Sequence, residues 1–117
     1  MKMRLPQPIK VLLAGAFVSL AASAVAASLQ PVVREIAQRA IRFSQPSMIV
    51  KVGDVVKYKN EDDVTHNLMV IGSDDMPLDQ GLQPPGAVVT HKFTQAGTFE
   101  VRCAIHPKMK MNVTVMP

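Results

Sequence analysis

The sequence predicts an all-β chain, a Greek-key sandwich of about seven short strands in two packed sheets. Three observations predict it. From Ser47 onward, residues rich in valine, isoleucine, threonine and phenylalanine come in short runs. Those runs are cut by Gly, Pro and Asn-Asp clusters, the punctuation of turns. In the last run Met111, Val113 and Val115 alternate with polar residues, so one face is apolar and needs a partner sheet to bury it.

The chain of 117 residues opens differently. Lys2, Arg4 and Lys10 precede an apolar run from Val11 to Val25, which closes on the small residues Ala24, Val25, Ala26 and Ala27. This is the pattern of a secretory signal peptide, expected to occupy residues 1–26, although removal after Ala27 fits the small-residue rule as well. Residues 27–117 form the expected domain, of a length for one core. No later segment approaches the roughly 20 apolar residues of a membrane span, so the processed chain is expected in the periplasm, free of the membrane. Removing the leader takes three of the thirteen basic residues and none of the nine acidic ones, which leaves ten against nine. A net charge that falls from +4 to about +1 gives no footprint for nucleic acid, and that partner is excluded.

In Val32–Phe43 the apolar residues recur partly at helical spacing and partly in alternation, and the second half is expected to be strand. Strands are then expected at Met48–Val52, Val55–Lys59 and His66–Ile71, with a turn at Gly53-Asp54. Gly72 to Ala87 holds Pro77, Pro84 and Pro85, too many prolines for a central strand, and reads as a long loop with a short turn of helix. Val88–Thr94, Thr98–Cys103 and Met111–Met116 complete the set, with a turn at Ala96-Gly97.

The chemistry concentrates in Cys103-Ala104-Ile105-His106-Pro107-Lys108-Met109, together with His66 upstream. Cys103 is the only cysteine, so an exported chain carries an odd thiol that cannot form an internal disulfide. Thiolate, imidazole and thioether recur at three-residue steps in one loop, and a fourth ligand can come from a neighbouring strand. Two imidazoles and a thiolate with a weak, long thioether bond suit one type 1 copper ion. Met111 competes with Met109 for the thioether position. Choosing Met109 leaves Met111 in register with Val113 and Val115, and that choice is favoured. Eight methionines are consistent with soft ligands but also with gap-filling in a core. Four protein ligands leave no open position for a substrate, so the chain is not expected to be an enzyme. A thiol-nucleophile reading of Cys103 and His106 lacks any oxyanion-stabilising arrangement. His91 is expected to be structural.

The stretch from Met48 to Val115 resembles the cupredoxins, most closely the amicyanin type and the small cupredoxins of methylamine utilisation. The resemblance rests on Val50-Lys51-Val52-Gly53-Asp54-Val55-Val56, Asn60, His66-Asn67, Phe93-Thr94-Gln95-Ala96-Gly97-Thr98-Phe99 and the short loop from Cys103 through His106-Pro107 to Met109. It implies a carrier of single electrons between transient redox partners, working as a monomer, with His66, Cys103, His106 and Met109 as copper ligands. It also implies that Asn67 ties the His66 strand to the cysteine loop. Electrons would cross the exposed edge of His106, inside a patch of Ala104, Ile105, Pro107 and Lys108, with Pro84 and Pro85 beside it. The alternative is a copper-sequestering or copper-delivery protein without electron transfer.

Overall fold

The computed structural model describes residues 2–22 and 30–117. Residues 2–22 have no regular structure and expose their apolar side chains, among them Leu12, Leu13 and Phe17. The signal-peptide boundary at Ala26 or Ala27 lies outside the described residues. No helix among the described residues is long and apolar enough to cross a membrane.

Among the described residues nine strands form instead of about seven: β1 (Val33–Arg39), β2 (Arg42–Phe43), β3 (Ser47–Lys51), β4 (Val55–Asn60), β5 (His66–Ile71), β6 (Pro77–Gln83), β7 (Val88–Lys92), β8 (Gly97–Arg102) and β9 (Lys110–Met116). One sheet runs β2-β1-β4-β7 and the other β3-β9-β8-β5-β6. β1 lies parallel to β4 and β3 parallel to β9, and every other pairing is antiparallel. The result is the all-β sandwich that the alternating runs call for.

Alternation decides which side chains enter the core. β9 buries Met111, Val113 and Val115, β3 buries Met48 and Val50, and β4 buries Val56, Tyr58 and Asn60, while their neighbours in the strands face outward. Phe43, Tyr58, Phe93 and Phe99 supply the aromatic filling, with Phe93 and Phe99 meeting edge to face at 5.4 Å.

Two expectations need correction. The stretch 72–87 is not all loop, because Pro77–Gln83 pairs with β5 as an edge strand. Pro77 stands at its first residue, one of the few strand positions where a missing N–H costs nothing. Val32–Phe43 is strand in its first half as well, and folds back at Ala40 and Ile41, both in the left-handed region at φ 52° and 55°.

Between Asn67 and Met69, β5 advances two residues while β6 runs from Leu82 to Asp79, three residues, so β6 carries a bulge. Gly81 takes φ 93° there, a conformation that a side chain would strain. At the same end of the sandwich the sheets are tied by buried amides. Gln38 Nε2 donates to Gln83 Oε1 at 2.8 Å, and Gln83 Nε2 donates to the Tyr58 carbonyl at 3.0 Å.

Candidate metal centre

The ligand loop leaves β8 after Arg102 and enters β9 at Lys110. Pro107, whose ring pre-sets φ, sits at the second position of a turn in which Met109 N–H donates to the His106 carbonyl at 2.8 Å. Cys103 N–H donates to the Met109 carbonyl at 3.1 Å and closes the loop. The seven residues are thus folded back so that Cys103, His106 and Met109 lie at one end of the sandwich, beside the first residue of β5, His66.

There the structure brings His66, Cys103 and His106 together. The two Nδ1 atoms are 3.1 Å apart, and Cys103 Sγ lies 3.9 Å from His66 Nδ1 and 3.6 Å from His106 Nδ1. Bonds of roughly 2.0–2.3 Å from imidazole nitrogen and thiolate sulfur to a common first-row metal ion imply separations of this size. The donor set is soft sulfur with two imidazoles, which fits copper. His66 and Cys103 are fully buried and Met109 is 1 % exposed, while His106 is half-buried.

Met109 and Met111 are both buried, and the fold places them on different elements. Met111 is inside β9, opposite Val101 and in the same alternation as Val113 and Val115, where the core accounts for its side chain. Met109 belongs to the loop.

Asn67 links the two halves of the cluster. Its backbone N–H donates to Cys103 Sγ at 3.3 Å, and its side-chain oxygen accepts from the Ala104 N–H at 3.2 Å. The amide nitrogen donates to Asp79 Oδ1 at 2.7 Å and to the Gly81 carbonyl at 3.3 Å, two acceptors presented by the β6 bulge. Ala104, Ile105, Pro107 and Lys108, the chain neighbours of His106, are exposed, and Pro84 and Pro85 are exposed as well. His91 lies on β7 and packs its half-buried ring edge to face on Phe93, with Gln80 Nε2 3.1 Å from its Nδ1. Burial lowers its pKa, and it is not in the ligand cluster.

One residue at the site escaped sequence reasoning. Asp62 Oδ2 lies 2.7 Å from His66 Nε2, on the far side of the ring from Cys103. The same carboxylate accepts the N–H groups of Ala40 and Ile41. Burial works to raise the Asp62 carboxyl, but the hydrogen bonds from His66, Ile41 and Ala40 outweigh it and hold it below the ordinary carboxylate range. A carboxylate four residues before a candidate ligand was the available signal, hidden inside the acidic run Glu61-Asp62-Asp63 that reads as a solvated turn.

Comparison with known proteins agrees with this geometry. The chain is 32 % identical over 75 residues to the methylamine utilization protein MauL of Methylorubrum extorquens, covering 64 % of this chain and 66 % of that one. It is 30 % identical over 77 residues to amicyanin of Paracoccus denitrificans, covering 64 % and 59 %. The chain therefore spans less than two thirds of either relative's length. A reduced amicyanin variant superposes with a TM-score of 0.63 at 30 % identity, over 74 % of this chain and 82 % of that one. A purple cupredoxin from Nitrosopumilus maritimus shares the fold at 23 % identity, with a TM-score of 0.62 over 71 % and 99 %. Residues 31–116 match the family described as copper binding proteins, plastocyanin/azurin family. With a thiolate and two imidazoles converging at the end of a β-sandwich, and a family match that takes in every strand of that sandwich, the chain belongs to the plastocyanin/azurin family of copper-binding proteins.

Proposed function

We propose that this chain is an exported, periplasmic carrier of single electrons that holds one copper ion through His66, Cys103, His106 and Met109. The observation that carries the reading is the convergence of His66 Nδ1, Cys103 Sγ and His106 Nδ1 within 3.1–3.9 Å. When bound, copper supplies the one-electron couple. The chain's own residues bind it, shield it and leave it one outlet. His66, Cys103 and Met109 are closed to water by the core, and His106 alone carries the cluster to the surface. Its ring edge is framed by the exposed Ala104, Ile105 and Pro107, a small apolar patch suited to brief contact with a redox protein. Residues 1–26 or 1–27 act as the removed export signal in this reading, and the processed chain works as a monomer. Two relatives carry names from methylamine metabolism, which makes that process the candidate setting for its partners.

The test is the visible spectrum of the copper-loaded protein. An intense thiolate-to-copper band is expected, and Cys103→Ala should abolish it. Loaded protein without the band would point instead to copper storage or delivery, and a Cys103→Ala variant that stayed blue would remove Cys103 from the site.

A further inference from the structure

The two imidazoles of the cluster are held differently. His66 is fully buried and has a carboxylate against its Nε2, at 2.7 Å. A carboxylate that accepts from Nε2–H fixes the proton on that nitrogen and leaves the Nδ1 lone pair facing Cys103 and His106, the side on which a metal ion would be held. His106 stands half-exposed at the surface, and among the described residues its ring has hydrogen-bond-range neighbours only on the Nδ1 side.

Asp62 is itself fixed from two directions. Asn60 is fully buried, donates from Nδ2 to the Val64 and Gln83 carbonyls at 2.8 Å each, and accepts the Asp62 N–H on Oδ1 at 2.9 Å. This sets the path of the segment 60–65 and with it the position of the Asp62 backbone. From the other side the β1–β2 turn presents two N–H groups, Ala40 to Oδ1 at 2.6 Å and Ile41 to Oδ2 at 3.0 Å. Both turn residues have positive φ, uncommon for alanine and a genuine outlier for β-branched isoleucine. Such a conformation persists where its surroundings over-determine it. Here the conformation aims both N–H groups at one carboxylate, whose remaining acceptor capacity goes to His66.

We infer that Asp62 is a positioning residue of the copper site: anchored by Asn60 and by the strained turn at Ala40-Ile41, its carboxylate sets the tautomer and orientation of the His66 ring. The inference rests on the proposed ligand role of His66. It assigns a task to the β1–β2 turn, whose residues lie more than twenty positions from Asp62 in sequence.

The experiment compares the full chain with its Asp62→Ala and Asp62→Asn variants, using nitrogen-detected NMR of the metal-free protein and chelator competition with copper. The unsubstituted chain should show His66 as the Nε2–H tautomer. Asp62→Ala should lose that single tautomer and bind copper about 10–100-fold more weakly, the usual effect of removing a hydrogen-bond partner behind a ligand. Asp62→Asn keeps an oxygen that can accept from Nε2–H, so it should restore the tautomer and most of the affinity while the reduction potential rises for want of the negative charge. If Asp62→Ala lowers thermal stability but leaves tautomer, affinity and potential unchanged, Asp62 is only a brace for the turn and the inference falls. Should Asp62→Ala fail to fold, the unsubstituted metal-free chain decides alone: a mixed or Nδ1–H tautomer of His66 would overturn the inference equally. Failure of the ligand reading itself would look different, with no blue band in any of the three proteins, and the metal-free tautomer would still report on Asp62.

Discussion

Asn67→Ala should destabilise the metal-free fold by about 2–3 kcal/mol, taking about 1 kcal/mol for each well-formed hydrogen bond. The side chain is 5 % exposed and makes two bonds of ordinary length, to the Ala104 N–H and to Asp79 Oδ1, and one longer bond to the Gly81 carbonyl. Bonds to a carboxylate often count for more, but Asp79 is exposed and water can replace the amide, so the neutral value applies. In a domain of this size the loss corresponds to a melting temperature lower by roughly 8–24 °C. Urea unfolding of the metal-free protein measures it, and the midpoint should fall with the slope unchanged. The copper-loaded variant should also show a shifted reduction potential, because the bond that fixes Ala104 beside Cys103 is gone. A stability loss under about 0.5 kcal/mol together with an unchanged potential would refute the view that Asn67 joins β5 to the ligand loop.

The two methionines separate by their variants. Met109→Leu should raise the reduction potential with copper retained, since losing a weak thioether donor disfavours the oxidised ion, whereas Met111→Leu should cost less than about 1.5 kcal/mol and leave the potential alone. An exchange of these behaviours would move the axial donor to Met111. Asp54 accepts the Lys51 and Val32 N–H groups at 2.8 and 3.1 Å, and these bonds hold its carboxyl below the ordinary 3.8. A lowered folded-state pKa contributes stability above the unfolded value that is lost as pH falls through the folded one. Stability profiles between pH 5 and about pH 2 should therefore flatten in Asp54→Asn, and a variant with an unchanged acid limb would contradict this linkage. Tyr58 is fully buried and its hydroxyl has no hydrogen-bond partner among the described residues. Tyr58→Phe should be neutral or stabilising by up to about 1–3 kcal/mol in calorimetry, and a clear loss would mean that the hydroxyl is satisfied in solution.

The ligand loop was legible because its information is local: three ligand types lie at three-residue steps in one turn, and Pro107 fits the turn that the structure forms. β9 was equally legible, since Met111, Val113 and Val115 alternate in an apolar-polar strand. β6 was not. Its proline and glycine, with Pro84 and Pro85 just after it, are loop chemistry, and what makes it a strand is the free edge of β5, which no local pattern encodes. The turn at Ala40-Ile41 lacks the Gly or Asn that usually marks positive φ, because the carboxylate holding it belongs to Asp62, 22 and 21 residues away. Asp62 was hidden for the same reason from the other side: its partners meet only in the folded chain.

The four outer strands bear on how this protein behaves in a crowded compartment. An unpaired strand invites another chain to add to it, the first step toward aggregation. β2 offers only two residues, and β6 begins with Pro77 and is bent by its bulge. β7 turns Thr90 and Lys92 outward, and β3 is flanked by Ser47 and Lys51 around the exposed Ile49. Brevity, proline, a kink and lysine are each recognised deterrents to strand addition. None of the four edges is therefore a ready template for a further strand, and self-association of the folded chain by strand addition is disfavoured.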